Sequence, residues 1–105
     1  MSNLLFVCSK NQWRSPTAEF LFKNAQQHIA RSAGTSSKAR IKLNQKLIDW
    51  ADIIFVMERK HKDILKQNFE NSPFPKIVVL NIEDNYKFGD PELVEILKTQ
   101  LAAYL

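Results

Sequence analysis

The sequence has one cysteine among its 105 residues, so no internal disulfide can form, as suits a reducing cytosol. Its longest apolar runs, Leu4 to Cys8 and Ile53 to Met57, fall far short of the roughly 20 residues that cross a bilayer, and no transmembrane helix or membrane partner is expected. The N-terminus lacks a basic segment followed by a long apolar stretch and a small-residue cleavage site, so a cytoplasmic location is expected. Internal repeats and low-complexity tracts are missing. So is any RNA-binding signature with interleaved aromatics, and nucleic acid is not an expected partner. His28 and His61 have no companion at metal-ligand spacing; no metal centre is expected, and both read as surface or strand-edge residues.

What is present fits one soluble globular domain spanning residues 1–105, since this length builds one core and not two. Hydrophobic residues at 45% and charged residues at 25% lie in the ordinary globular range. The formal charge of +4, from 15 Lys and Arg against 11 Asp and Glu, favours anionic partners. Most of these charges are scattered over helix surfaces such as Arg59 to Lys66 and read as solvated faces.

Apolar and amphipathic segments alternate, which predicts an α/β fold: a four-stranded parallel sheet with helices on both faces, three layers deep. Asn3 to Cys8, Ile53 to Met57 and Lys76 to Ile82 are continuous apolar runs and read as central strands. His28 to Ala33, interrupted by Arg31, reads as an edge strand. A first helix is expected to start at Ser15 or Pro16, with serine as cap and proline in the first turn, and to bury Ala18, Leu21, Phe22 and Ala25. Asn44 to Trp50 reads as a short helix with Trp50 in the core. Arg59 to Phe69 reads as a longer one, turning Ile64, Leu65 and Phe69 inward and broken by Asn71-Ser72-Pro73-Phe74-Pro75. The last helix takes Asp90 as cap and Pro91 as first residue, and buries Leu93, Ile96, Leu97, Leu101 and Tyr104. Ser32 to Lys42 reads as a loop.

In such a sheet the ligand sits beyond the carboxyl ends of the strands, beside the first strand-to-helix turn. That turn is Cys8-Ser9-Lys10-Asn11-Gln12-Trp13-Arg14-Ser15. Five residues between the cysteine and the arginine suffice to wrap backbone N–H groups around a tetrahedral oxyanion, and the following helix N-terminus adds positive potential. Arg14 can grip two phosphate oxygens as a bidentate fork. The same field favours a thiolate at Cys8, the nucleophilic form of sulfur. Ser15 is placed to hydrogen-bond that sulfur while also capping the helix.

Leu5-Phe6-Val7-Cys8, Asn11, Arg14-Ser15-Pro16 and Ala18-Glu19 resemble the signature of the low-molecular-weight protein tyrosine phosphatases. Further stretches agree in order. Arg31-Ser32-Ala33-Gly34-Thr35 looks like the family's second strand end, Ser37-Lys38-Ala39-Arg40 like its Ala-Arg segment, Asp52 to Asp63 like its third strand and next helix, and Ile82-Glu83-Asp84-Asn85-Tyr86 like its acid loop. The resemblance implies a flavodoxin-like fold and hydrolysis of phosphotyrosine or a similar aryl phosphate through a phosphocysteine, without cofactor or metal. It makes Cys8 the nucleophile, Arg14 the phosphate clamp, Ser15 a thiolate partner and Asn11 a loop-shaping residue tied to Ser32. Ser9, Lys10, Asn11, Gln12 and Trp13 would line the substrate, with Tyr86 and Phe88 as candidate flanks for a phenyl ring. The implied partners are a phosphorylated protein or small aryl phosphate, with inorganic phosphate or other oxyanions as ligands.

Two aspartates compete as general acid. Asp84 fits the acid loop by its distance from the fourth strand and by Tyr86, although Asn85 replaces the usual proline. Asp90-Pro91 matches the literal Asp-Pro pair, but capping already explains it. Other departures are Lys10 in place of a loop glycine, Ser37 in place of a histidine, and Trp13 where members carry a second cysteine. A family segment between the Ser-Ala-Gly-Thr and Ala-Arg stretches, with an aromatic wall of the pocket, is missing. Two rival readings stand: an arsenate reductase using an external thiol, and a phosphate-binding regulatory module without turnover.

Overall fold

The computed structural model describes residues 2–69 and 73–105. Strands and helices alternate along it: β1 Ser2–Cys8, α1 Arg14–Leu21, β2 His28–Gly34, α2 Gln45–Trp50, β3 Ile53–Val56, α3 Arg59–Asn68, β4 Lys76–Val79 and α4 Pro91–Leu101. All pairings are parallel and the strand order is β2-β1-β3-β4. This is the doubly wound arrangement that the alternating pattern predicts.

The two-residue period of β1 explains why it reads as an unbroken apolar run. Leu4, Phe6 and Cys8 face one layer, where Ala18 of α1 and Leu93, Leu97 and Leu101 of α4 cover them. Leu5 and Val7 face the other, against Leu47 and Ile48 of α2 and Leu65 of α3. At the centre Phe6 stacks on Phe55 at 5.3 Å and on Phe22 at 5.8 Å between ring centroids. Leu4, Leu5, Phe6 and Val7 are all fully buried, and each side chain of this kind contributes roughly 1.5–3 kcal/mol. The strand that carries Cys8 is therefore the rigid spine of the fold.

Several boundaries differ from expectation. Helix α1 begins at Arg14, with Trp13 in the cap position and no side-chain cap, so Ser15 lies inside the first turn and its hydroxyl does not cap the helix. Strands β3 and β4 end at Val56 and Val79, earlier than their apolar runs, and Leu80 and Ile82 stay buried beyond β4, their N–H groups donating to Val56 O and Met57 O at 2.9 and 2.7 Å. Ala25 is exposed, and Trp50 is half-buried with the Arg31 guanidinium 4.7 Å above its ring. Tyr104 remains 44% exposed, with its ring edge on Phe55. His28 does open the edge strand, but His61 is fully buried in the first turn of α3, against the expectation of a surface residue. Asn44 and Asp90 cap α2 and α4 through Leu47 N–H and Glu92 N–H, each at 2.9 Å. Asn71 and Ser72 of the expected helix break lie outside the described residues. No helix among them is long and apolar enough to cross a membrane.

Candidate active site

β1 delivers Cys8 to the carboxyl edge at the point where the strand order reverses, with β2 on one side and β3 on the other. To return into α1 the chain turns through Asn11 at φ +56°, a left-handed conformation that asparagine tolerates better than most residues. The loop is held from outside. Thr35 N–H donates to Cys8 O, Ser36 N–H to Ser9 O and Arg40 N–H to Lys10 O, at 2.9–3.0 Å, while Arg40 Nε donates to Asn11 O at 3.1 Å. With four successive carbonyls tied outward, the loop's N–H groups are the donors left for the cleft, together with those of the first turn of α1. Gly34 permits this approach, since a Cβ there would lie 2.5 Å from Ser9 O and 2.6 Å from the Ala39 side chain.

Cys8 is 3% exposed, and its Sγ lies 2.9 Å from Ser15 Oγ. Ser15 Oγ also accepts from Asn11 Nδ2 at 2.9 Å and reaches Ala33 O at 3.4 Å. A sulfur anion can only accept, so the hydroxyl proton then goes to Sγ, the shorter of its two contacts. Arg14 is 2% exposed. Its Nη1 is taken by the Glu58 carboxylate and by Ile82 O, the latter at 2.8 Å, and its Nε lies 3.5 Å from Asp84 Oδ1. Pinning Nη1 turns the Nε–Nη2 edge, the edge that makes a bidentate fork, toward the cleft. Burial alone would raise the Glu58 carboxyl, but the hydrogen bond and charge of Arg14 outweigh it and hold the group below its ordinary value, ionised at neutral pH.

His61 adds a second support. Burial, and then the charge of Arg14, push it down from 6.5 to about 4, so it is neutral at pH 7. Its Nδ1 accepts from Glu58 N–H at 3.0 Å, which places the ring proton on Nε2. Nε2 lies 2.9 Å from Ser9 Oγ and therefore donates to it. The Ser9 hydroxyl proton is then free for a guest in the cleft.

The cleft itself has a volume of about 120 Å³ and is lined by Cys8, Ser9, Lys10, Gln12, Trp13, Arg14 and Asp84. That is well below the roughly 300–1,000 Å³ of sites for drug-sized ligands and suits a small anion with its substituent outside. Asp84 is 54% exposed at the mouth. Asp90 is not brought there; its carboxylate caps α4. Tyr86 is not among the lining residues either, and packs against the core. Phe88 lies off the cleft, edge-on to Phe20 at 5.9 Å. The expected tie from Asn11 to Ser32 is not made: Asn11 Oδ1 has no partner among the described residues, and Ser32 Oγ donates to Glu19 Oε1 at 2.5 Å. Among the described residues no group of three metal-ligating side chains forms.

The family model for low molecular weight phosphotyrosine protein phosphatase matches residues 3–50, which hold β1, the cleft loop, α1 and β2. Over those residues the chain is similar to that family. A search of curated proteins gives no match. Among solved structures, a YwlE mutant from Bacillus subtilis is 26% identical, with 98% of this chain and 97% of that chain covered and a TM-score of 0.71. A YwlE arginine phosphatase whose cysteine is mutated to serine, with that active-site serine phosphorylated, is also 26% identical, over 96% and 93% of the two chains, at TM-score 0.71. The low molecular weight phosphatase of Streptococcus pyogenes shares the fold most evenly of these, with TM-score 0.80 at 19% identity over 100% and 94%.

Glu58 and His61 are the members of the site that sequence reading passes over. A signal existed for both. Glu58 follows Met57 at the carboxyl end of the third strand, the edge where an α/β sheet builds its site, and His61 stands three residues later, at the spacing of a reciprocal helix cap. What the sequence cannot give is that this cap faces Arg14.

Proposed function

We propose that this phosphatase hydrolyses phosphotyrosine or a similar aryl phosphate through a phosphocysteine. Arg14 grips two of the three nonbridging oxygens with Nε and Nη2, while loop N–H groups and the Ser9 hydroxyl bind the third and share the other two. Cys8 Sγ attacks phosphorus. The ester P–O bond breaks, its electron pair goes to the leaving oxygen, and Asp84 supplies that oxygen with a proton. Water then attacks phosphorus and gives its proton to the Asp84 carboxylate; the S–P bond breaks, returning the thiolate and releasing inorganic phosphate. Ser15 stabilises the sulfur anion at the start and at the end.

The observation that carries this reading is the convergence of Cys8, Arg14 and Asp84 on one small cleft, with Cys8 Sγ held by Ser15. The YwlE protein with a phosphorylated serine in place of its cysteine supports direct transfer of phosphate to that position. Phosphoarginine is the second substrate to test, because that protein is an arginine phosphatase and the aromatic in the present cleft is Trp13 alone. The test is rapid quenching of wild type with an aryl phosphate, followed by mass analysis of Cys8. A phosphate adduct that forms and decays at the turnover rate is expected, and Cys8→Ser is expected to lower turnover by about 10⁴-fold or more while still binding phosphate. Phosphate binding without any adduct or turnover would instead favour a regulatory module, and thiol-dependent reduction of arsenate a reductase.

A further inference from the structure

A groove of about 690 Å³, larger than the cleft, lies beside it between α1 and the free edge of β2. Gln12 lines both, so the groove adjoins the cleft that holds Cys8. Its other walls include Phe20, Lys23, Ile29, Arg40 and Phe88. Phe20, Ile29 and Phe88 are 58%, 45% and 48% exposed, and Phe20 and Phe88 meet edge-on as a ready aromatic shelf. Lys23 Nζ sits 5.7 Å from the Phe20 ring centroid. The carboxylate in the groove, Glu19, is already engaged by the Ser32 hydroxyl. With Lys23 and Arg40 against Glu19, the net charge of the groove is positive.

The strand edge adds main-chain groups. Gly34 uses both its N–H, to Ile41 O, and its C=O, from Leu43 N–H, on the side of β2 away from β1. By the two-residue period of a strand, Ala30 and His28 point their N–H and C=O the same way. There the covering segment has already left, because Arg40 N–H turns to Lys10 O, and no strand among the described residues pairs with this stretch.

We propose that this groove docks the polypeptide carrying the phosphorylated side chain, as a short extended segment added along His28–Ala30. An acidic residue of the segment lies by Lys23 and Arg40, and an apolar one rests on Phe20 and Phe88. The substrate is then a phosphorylated protein with an acidic and apolar flank, not a free small ester. This rests on the Cys8 reading above, since the phosphorylated residue must enter that cleft.

The test uses a phosphotyrosine peptide with acidic and aromatic residues on one flank, a phosphotyrosine peptide with glycine and serine flanks, and 4-nitrophenyl phosphate. Wild type, Lys23→Glu, Phe20→Ser and Ala30→Pro are compared; the proline removes one outward N–H and is tolerated on an edge strand. Binding of the two peptides is measured in the Cys8→Ser background, where no turnover is needed. The expected result is a roughly tenfold or greater preference for the acidic-aromatic peptide, lost in the three variants through KM, with 4-nitrophenyl phosphate kinetics unchanged. Equal handling of both peptides, or variants that slow the small ester as much as the peptide, would overturn the docking. Failure of wild type to hydrolyse any of the three, with the peptide preference still seen in binding, would overturn the Cys8 chemistry and leave the docking standing.

Discussion

The two loops that meet over the cleft are built in opposite ways. The Cys8–Arg14 loop exposes Lys10, Gln12 and Trp13 but is fastened at many points: Asn11 and the adjoining Ser15 are fully buried, its carbonyls are held by Thr35 to Arg40, and Glu58 and His61 brace it from the start of α3. The loop from Ile82 to Gly89 is mostly exposed at Glu83, Asp84, Asn85, Lys87, Phe88 and Gly89. Its ties to the rest of the site are few: Ile82 O to Arg14, Asp84 to Arg14 Nε, and Gly89 N–H to Thr17 Oγ1 at 3.1 Å. Binding of a transition-state charge needs donors fixed in advance, because reorganising them during the reaction costs the stabilisation they provide. Proton delivery tolerates an arm that adjusts to the leaving group. A stiff cradle and a loose Asp84 loop are the division of labour that the proposed chemistry would use.

The sharpest way to break the comparison is at the arm. Asp84→Asn is expected to lower kcat on an ester with a poor leaving group by about 10²–10⁴-fold, and far less on one with a good leaving group, with phosphate binding retained. Steady-state kinetics over a leaving-group series measures this, and a uniform loss across the series would move the acid elsewhere. The next largest effect probes the cradle. Below pH 6.5 the unfolded chain takes up a proton that folded His61 refuses until about pH 4, so stability falls with falling pH across that window and is fully present above it. The loss amounts to something on the order of 3 kcal/mol, and urea unfolding of His61→Gln is expected to lack that acid limb. The smallest effect separates the two aspartates. Asp90→Ala is expected to cost about 1 kcal/mol of stability through the lost cap of α4, with kcat within roughly twofold of wild type. A large loss of kcat would return Asp90 to the list of acids.

Much of the fold is written in local pattern. The alternation of apolar runs with amphipathic stretches gives the parallel sheet, and the arginine in His28 to Ala33 marks it as an edge, which β2 is. Pro91 after Asp90 fixes where α4 begins. The errors cluster where a side chain had two possible partners. Ser15 followed by proline reads as a cap, yet it points at Cys8 because α1 starts one residue earlier. Tyr86 sits in an acid-loop motif but packs against the core. His61 looks unpartnered in sequence because its partners, Ser9 and Glu58, lie 52 and 3 positions away, and the first belongs to another strand's loop.

The sequence by itself determined the layers, the strand that carries Cys8, and the spacing of Cys8, Arg14 and Ser15, because these follow from periodicity and from what five residues of backbone can span. Only the tertiary structure decided which edge of the Arg14 guanidinium faces the cleft, which nitrogen of His61 holds the proton, and which aspartate stands at the mouth. Those depend on groups brought together from β3, α3 and the loop after β4, and a hydrogen bond between distant segments leaves no periodic trace along the chain.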